Sequence, residues 1–339
     1  MMKMVRKRIT VAIATVLLAG VPFMTWPGIT TQAEAASAGV QITVMGKAVQ
    51  SDSPSIIDRG GVLIPLRVVA EAFGAAVQWD AKTSTATVRR WSVTAQFKSN
   101  SQVAVIDREM SGGTSHSTVQ LDAPMKLYNN RAYVPLRFLG TQFGYKVTWH
   151  DHIAALDSKL SAKDQRTLFE GDLKDARKIA NGLGGDLYYT HDPLTPRNYV
   201  GDRDGVTTLF PEGEALHFYR FEDDIVSQVE IKDDFALVTW QGRLNCTTCT
   251  KENAFQSFMN QQWTDGQGIA PNPSGDYVYS YFRIFRPEGW SEYGYVDADR
   301  KLTQTGYNHY NSISENGETK TGTLEIMKTG EQRTDSVIK

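Results

Sequence analysis

The sequence predicts an α+β chain: a duplicated β-β-β-α-β-β repeat domain followed by a mostly antiparallel β domain. Three observations carry that expectation. One punctuated segment occurs twice at a constant offset of 70 positions. Each copy passes from a short apolar run, through a proline, into a helical stripe that ends at a glycine. The second half alternates apolar runs with turns rich in Asp, Gly and Asn, with one short helical stretch among them.

The first segment of the chain reads as an export signal. Lys3, Arg6, Lys7 and Arg8 precede an apolar run from Ile9 to Met24, and Ala33-Glu34-Ala35 follows. The run is 16 residues long, short of the ~20 that a spanning helix needs. Cleavage is expected after Ala35, with Ala36 and Ala38 the next sites; the other reading is a retained N-terminal anchor. No cysteine lies near the site, so a lipidated N-terminus is not expected. Residues 1–35 carry those four positive charges and one negative one, Glu34, so the formal net charge of -2 becomes -5 once they are removed. A mildly acidic chain without blocks of like charge does not point to nucleic acid. About 300 residues remain, enough for two domains with their own cores.

Residues 38–158 hold the two copies. The first reads Val62-Leu63-Ile64-Pro65-Leu66-Arg67, then Phe73-Gly74, then Val77-Gln78-Trp79. The second reads Tyr133-Val134-Pro135-Leu136-Arg137, then Phe143-Gly144, then Val147-Thr148-Trp149. Asp52/Asp122 and Pro54/Pro124 keep the same offset. Equal spacing over that many landmarks argues for two supersecondary units sharing a core. Ahead of each lies an expected hairpin, with turns at Gly46-Lys47 and at Asp107-Arg108. The proline has no N–H to extend a ladder, and its fixed φ suits a helix start. Leu66, Val69, Ala70 and Phe73 then form one inward stripe, as do Leu136, Leu139, Gly140 and Phe143. Gly74 and Gly144 stand where a left-handed C-terminal cap wants glycine. Strands ending at Trp79 and Trp149 follow, then strands over Thr85 to Val88 and Ile153 to Leu156. Copy two carries Ser111 to Ser117 as an expected exposed loop, Thr141 in place of Glu71 and His150 in place of Asp80.

The V-P-L-R, helix, F-G, V-x-W pattern, present twice, resembles the copper amine oxidase N-terminal-like domain, also called the stalk domain, of secreted bacterial proteins. The resemblance implies an extracellular module common in spore-forming Gram-positive bacteria, where it accompanies cell-wall hydrolases or domains of unknown role. It also implies an appendage that takes no part in catalysis.

The residues themselves argue against copper chemistry. Tyr307-Asn308-His309-Tyr310-Asn311 has the wrong order for a quinone-forming tyrosine motif and no acidic neighbour. His150-Asp151-His152 would place two imidazoles on one face if it lay in a strand, but its first histidine occupies the turn position of Asp80, so a turn is the expected reading and a weak metal site the other. His116, His191, His217 and His309 have no ligand spacing. No G-x-S-x-G, phosphate-binding loop or H-E-x-x-H occurs, and Glu222-Asp223-Asp224 and Lys232-Asp233-Asp234 read as hairpin turns. No catalytic residue, metal ligand or cofactor is expected. Cys246 and Cys249 are expected to form a local disulfide in an exported chain; a redox motif and free or metal-bound thiols are the other readings.

Residues 159–185 form an expected linking helix over Ser161 to Ala180, with Ser161 as N-cap and Gly182, Gly184 and Gly185 as its stop. Residues 186–339 read as β-rich. Strands are expected over Ala215 to Phe221, Ile225 to Ile231, Phe235 to Trp240, Tyr277 to Phe285, Gly294 to Asp297, Lys301 to Ser312 and Glu318 to Met327, with a helix near Glu252 to Trp263. Asn316-Gly317 signals a type I′ hairpin, and a sandwich or a curved sheet would accommodate the set.

Tyr277, Tyr279 and Tyr281 share one face of a strand and are candidates for stacking on sugar rings, taken as the outward set because Val278, Phe282 and Ile284 lie opposite. The alternative is a buried face. Arg67 and Arg137 open the two helices and are candidates for an anionic ligand, or braces within the repeat. Together these residues predict a secreted, non-catalytic cell-envelope protein with a binding or scaffold role at the cell wall, its partner a wall polymer or another envelope protein. The alternative is an extracellular hydrolase or other enzyme with its site in the C-terminal β-rich domain.

Overall fold

The computed structural model describes residues 40–58, 61–197, 205–246, 249–285, 288–296, 299–311 and 326–335. The expected signal peptide and the Asn316-Gly317 hairpin lie outside the described residues, as does all but the end of the strand expected over Glu318 to Met327. In chain order the first part holds Gln41–Val44 (β1), Lys47–Ala48 (β2), Ile56–Asp58 (β3), Gly61–Pro65 (β4), the helix Leu66–Ala72 (α1), Ala76–Asp80 (β5), Thr85–Arg90 (β6), Val93–Lys98 (β7), Val103–Met110 (β8) and Gly113–Gln120 (β9). Lys126–Tyr128 (β10), Arg131–Pro135 (β11), the helix Leu136–Gln142 (α2), Lys146–His150 (β12) and Ile153–Asp157 (β13) complete it.

Strands β4 and β11 pair antiparallel, with Ile64 opposite Val134 and Pro65 opposite Tyr133. Because 64 and 134 differ by the same 70 positions as the other landmarks, the register is symmetric about that pair. The four-stranded sheet β10-β11-β4-β3 therefore presents Pro65 and Pro135 at equivalent ends, each leading directly into a helix. Both helices stop alike. Gly74 and Gly144 take positive φ, of 80° and 88°. The N–H of Ala75 reaches the carbonyl of Ala70 at 2.9 Å, and that of Tyr145 reaches Gly140 at 2.9 Å, the bond that closes a glycine-capped helix end. Phe73 and Phe143 are buried with ring centroids 5.3 Å apart, at the centre of a core that also takes in Val69, Leu139 and Leu156.

The flanking hairpins exchange sides. Strand β1 lies parallel to β13, so that β1–β2 extends the β12–β13 pair into the sheet β12-β13-β1-β2. Strands β7, β8 and β9 extend β5–β6 into a five-stranded antiparallel meander. Two expectations are corrected here. Strand β8 runs unbroken through Asp107 and Arg108, because both its edges are paired, and the turn falls at Ser111-Gly112. Most of the Ser111 to Ser117 loop is strand β9, exposed because it is the polar edge of the sheet. Strand β7 was not foreseen.

The remainder comprises the helices Ala162–Glu170 (α3) and Leu173–Leu183 (α4), Leu187–Tyr189 (β14), Val206–Pro211 (β15), His217–Glu222 (β16), Ile225–Lys232 (β17), Phe235–Leu244 (β18), the helix Lys251–Met259 (α5), Trp263–Gly268 (β19), Tyr277–Phe285 (β20), Glu288–Val296 (β21) and Leu302–Asn311 (β22). The single linking helix is two. Ser161 caps α3 as expected, but Gly171 turns extended and the Asp172 carboxylate accepts from the Asp175 N–H at 2.9 Å, starting α4 afresh. The strands form one sheet in the order β14-β18-β17-β16-β15-β20-β21-β22. Strand β17 takes one edge of β18, while β14 and β19 share the other, β14 as its one parallel neighbour.

Both faces of this sheet are covered where it is widest. Leu168 and Ala180 of α3 and α4 pack on Phe210, Phe218, Val229 and Val278. On the opposite face Phe255 and Phe258 of α5 pack on Tyr219, Phe221, Tyr277 and Tyr279. The first part and the sheet also meet. Tyr188, Phe235 and Leu237 join the core of the first part, where Phe235 lies edge-on to Trp91 at 5.1 Å and to Tyr145 at 5.3 Å. With about 48% strand against 17% helix, the chain is a β-rich α+β protein.

Candidate functional site

The symmetric register places a groove at each end of the sheet β10-β11-β4-β3. The first, of about 490 Å3, is lined by Pro65, Leu66 and Arg67 at the entry of α1, by Val77, Gln78 and Trp79 of β5, by Asp52 of the same half, and by Leu127, Asn130 and Arg131 from the other. The second, of about 220 Å3, is lined by Pro135, Leu136 and Arg137 at the entry of α2, by Val147 and Trp149 of β12, and by Asp58, Gly61, Val62 and Asp122. Most of these residues correspond at an offset of 70: Asp52 with Asp122, Pro65 with Pro135, Arg67 with Arg137, Trp79 with Trp149 and Arg131 with Gly61.

In each groove the proline hands the chain from strand to helix, so the next side chain but one, the arginine, emerges at the rim. The indole comes from the strand that returns after the glycine cap. Trp79 is 38% exposed and Trp149 44%, unusual for the largest apolar side chain. An exposed indole beside a guanidinium gives a flat apolar wall with a hydrogen-bonding edge, the elements of a small-ligand or sugar site.

The polar rims differ. Arg131 donates from both terminal nitrogens to the two carboxylate oxygens of Asp52, with Nη2–Oδ2 at 2.7 Å, and also to Ser53 Oγ. The Arg131 guanidinium holds the Asp52 carboxyl below the usual carboxylate range, and Asp52 raises Arg131 in turn. Among the described residues Arg67 has one ion pair, with Glu71, Nε to Oε1 at 4.0 Å, with both side chains more than half exposed. Arg137 makes no ion pair among the described residues, having Thr141 at the fourth position along. Lys126 binds Asp58 at 2.6 Å behind the second groove. Both candidate arginines are thus at groove rims, and among the described residues neither makes an ion pair across the repeat.

The three candidate tyrosines are elsewhere and are turned the other way. Tyr277, Tyr279 and Tyr281 are 3%, 1% and 9% exposed. The outward orientation expected for them is corrected by helix α5, which covers that face, while Phe282 on the opposite side is 45% exposed. The Tyr277 hydroxyl accepts from the Ser274 N–H at 3.0 Å, and burial pushes its phenol up to about 12. Lys251 Nζ lies 5.1 Å from the Tyr279 ring centroid and pairs with Glu292 at 2.5 Å. These are packing residues. A stacking platform needs a free ring face, and they have none.

Cys246 and Cys249 are bonded to each other, just ahead of the Thr250 cap of α5. His150 ends β12, while Asp151 and His152 form the following turn at positive φ, so the two imidazoles do not sit on one strand face. Among the described residues no group of three His, Cys, Asp or Glu side chains is placed to hold a metal. The C-terminal part does contain a histidine–carboxylate pair, His217 Nδ1 and Glu214 at 2.9 Å. The other ring nitrogen is buried and has no partner among the described residues, so no hydroxyl or thiol stands where such a pair would activate one.

Residues 43–155 match the copper amine oxidase N-terminal domain. All the lining residues of both grooves fall inside that segment. It is a non-catalytic accessory part of amine oxidases, and nothing in the C-terminal half matches a family. No curated protein matches the chain. The residues that sequence reasoning passed over were Trp79, Trp149 and Arg131. In the sequence the two tryptophans read as strand ends, and the available signal was an arginine and a tryptophan recurring at the same spacing, Arg67/Trp79 and Arg137/Trp149.

Proposed function

We propose that this chain is a secreted, non-catalytic protein of the cell envelope of a Gram-positive bacterium, binding a wall polymer through the first groove of a stalk-type domain built from two copies of one β-β-β-α-β-β unit. The exposed Trp79 indole beside the loosely held Arg67, in a groove of about 490 Å3, is the observation that carries the reading. That volume suits a monosaccharide or disaccharide unit of a polymer rather than a protein surface. The basic and apolar N-terminal segment supports export, and the match over residues 43–155 supports an accessory rather than a catalytic role. Constant offset and the symmetric β4–β11 register support duplication.

The test is co-sedimentation of the mature chain with insoluble cell-wall sacculi. The parent protein should pellet, and Trp79→Ala should weaken binding about tenfold, the value of one aromatic stacking contact. Undiminished pelleting of Trp79→Ala, or none by the parent, would refute the reading and turn attention to an envelope protein as partner.

A further inference from the structure

We infer that the first groove is selective for an anionic group of a polymer, a phosphate or a carboxylate, and that the second groove at the equivalent place is not. The inference deepens the reading of the first groove as the binding site and rests on it.

Three differences between the grooves carry it. In the first, the acidic residue is already neutralised: Asp52 is held by both terminal nitrogens of Arg131. In the second, glycine stands where Arg131 would, and Asp122 has no ion pair among the described residues. An arriving anion there meets an uncompensated carboxylate.

The second difference is the set of carboxylates that shares the groove with the rim cation. Arg67 meets Glu71 only through Nε and only at 4.0 Å, the outer limit of an ion pair. Its two terminal nitrogens are left to offer the planar fork that fits a carboxylate or phosphate. Arg137 has no ion pair among the described residues, but it shares its groove with both Asp122 and Asp58, of which only Asp58 is paired there, with Lys126.

The third difference is room. At about 490 Å3 the first groove falls within the ~300–1,000 Å3 of small-ligand sites, and at about 220 Å3 the second falls below it. The chain as a whole is acidic, so its overall field repels a polyanion and attraction must be local to one site.

The mature full chain is titrated, by calorimetry, with inorganic polyphosphate and in parallel with polygalacturonate, which separate the two sources of negative charge. Saturable binding of at least one of them at a single class of groove is expected. Arg67→Gln should weaken it about tenfold, as should Arg131→Gly, which frees Asp52 without touching Arg67 or Trp79. Arg137→Gln should leave it unchanged. All three side chains are exposed, and unchanged melting temperatures would confirm that the variants fold.

Binding of neither polyanion, or an equal loss in Arg137→Gln and Arg67→Gln, would overturn the inference. Sedimentation with sacculi that depends on Trp79 without polyanion binding would sink the anion selectivity alone. Polyanion binding without sedimentation would instead sink the wall reading alone.

Discussion

Replacing Gly144 and Gly74 by alanine separates the cost of a backbone conformation from the cost of a contact. Both glycines cap a short helix at positive φ, 88° and 80°, and both end the same F-G pair. An alanine in that region costs about 1 kcal/mol whatever surrounds it. At Gly74 that is the whole cost, since no atom lies within 4 Å of where a Cβ would stand. At Gly144 the same Cβ would lie 2.6 Å from the Tyr188 hydroxyl and 2.7 Å from Phe235 Cε1. Those rings cannot simply withdraw. Tyr188 and Phe235 are buried, edge-on to each other at 5.4 Å and both against Trp91. Forcing extra volume into such packing costs about 1–3 kcal/mol more. Gly74→Ala should therefore destabilise by about 1 kcal/mol and Gly144→Ala by about 2–4 kcal/mol. Urea unfolding followed by tryptophan fluorescence gives both values, and Trp91 reports on the junction itself. Equal destabilisation by the two substitutions would refute the contact between the end of α2 and the C-terminal sheet.

Arg177 and Glu331 form a fully buried pair with oxygen–nitrogen distances of 2.6 and 2.9 Å, tying the segment 326–335 to helix α4. Arg177→Met should cost about 3–5 kcal/mol in urea unfolding, because Glu331 is left charged and buried; a loss below 1 kcal/mol would count against the pair. Burial alone would raise the Glu331 carboxyl, but Arg177 and the N–H groups of Gly213 and Lys328 hold it below its ordinary 4.5. Its stabilising contribution is thus present above pH ~4.5 and is lost as pH falls through the lower folded value, so melting temperatures should fall there in the parent and much less in Glu331→Gln. Tyr279→Ala should destabilise by about 3–5 kcal/mol as a buried aromatic truncation, while sacculus binding measured well below the variant's melting temperature should be unchanged. Loss of binding by a folded variant would return the tyrosines to the ligand site.

The two like strand–proline–helix–glycine segments were legible because their landmarks are backbone devices: proline where a ladder must stop, glycine where φ must be positive, phenylalanine where two helix ends meet. Such residues act locally and keep their meaning in any context. The exchange of hairpins between the halves was not legible, because pairing β1 with β13 is a choice among strands 112 positions apart that no local pattern encodes. Strand β9 was missed for a different reason. As an edge strand it needs no apolar face, and its polar residues read as a loop. The orientation of Tyr277, Tyr279 and Tyr281 was reversed because alternation tells which residues share a face but not which face is covered. Helix α5, contributed from another stretch of the chain, decides that.

The differences between the two halves fall where packing permits them. Phe73 and Phe143, Leu66 and Leu136, and Val69 and Leu139 all lie in one core, where a change of volume is felt by every neighbour. Within that core Val69 and Leu139 differ, and so do Ala70 and Gly140, where a Cβ would lie 2.6 Å from Val147 Cγ2. On the rims the constraint is absent, since an exposed substitution costs within about 0.5 kcal/mol either way. Arg131 opposite Gly61, and Glu71 opposite Thr141, are both rim positions. On the proposed duplication, the shared interior holds two grooves in register while their rims are free to diverge. One such difference, an arginine that occupies Asp52 and its absence beside Asp122, then adds to the difference in room to give two equivalently placed grooves different charge preferences.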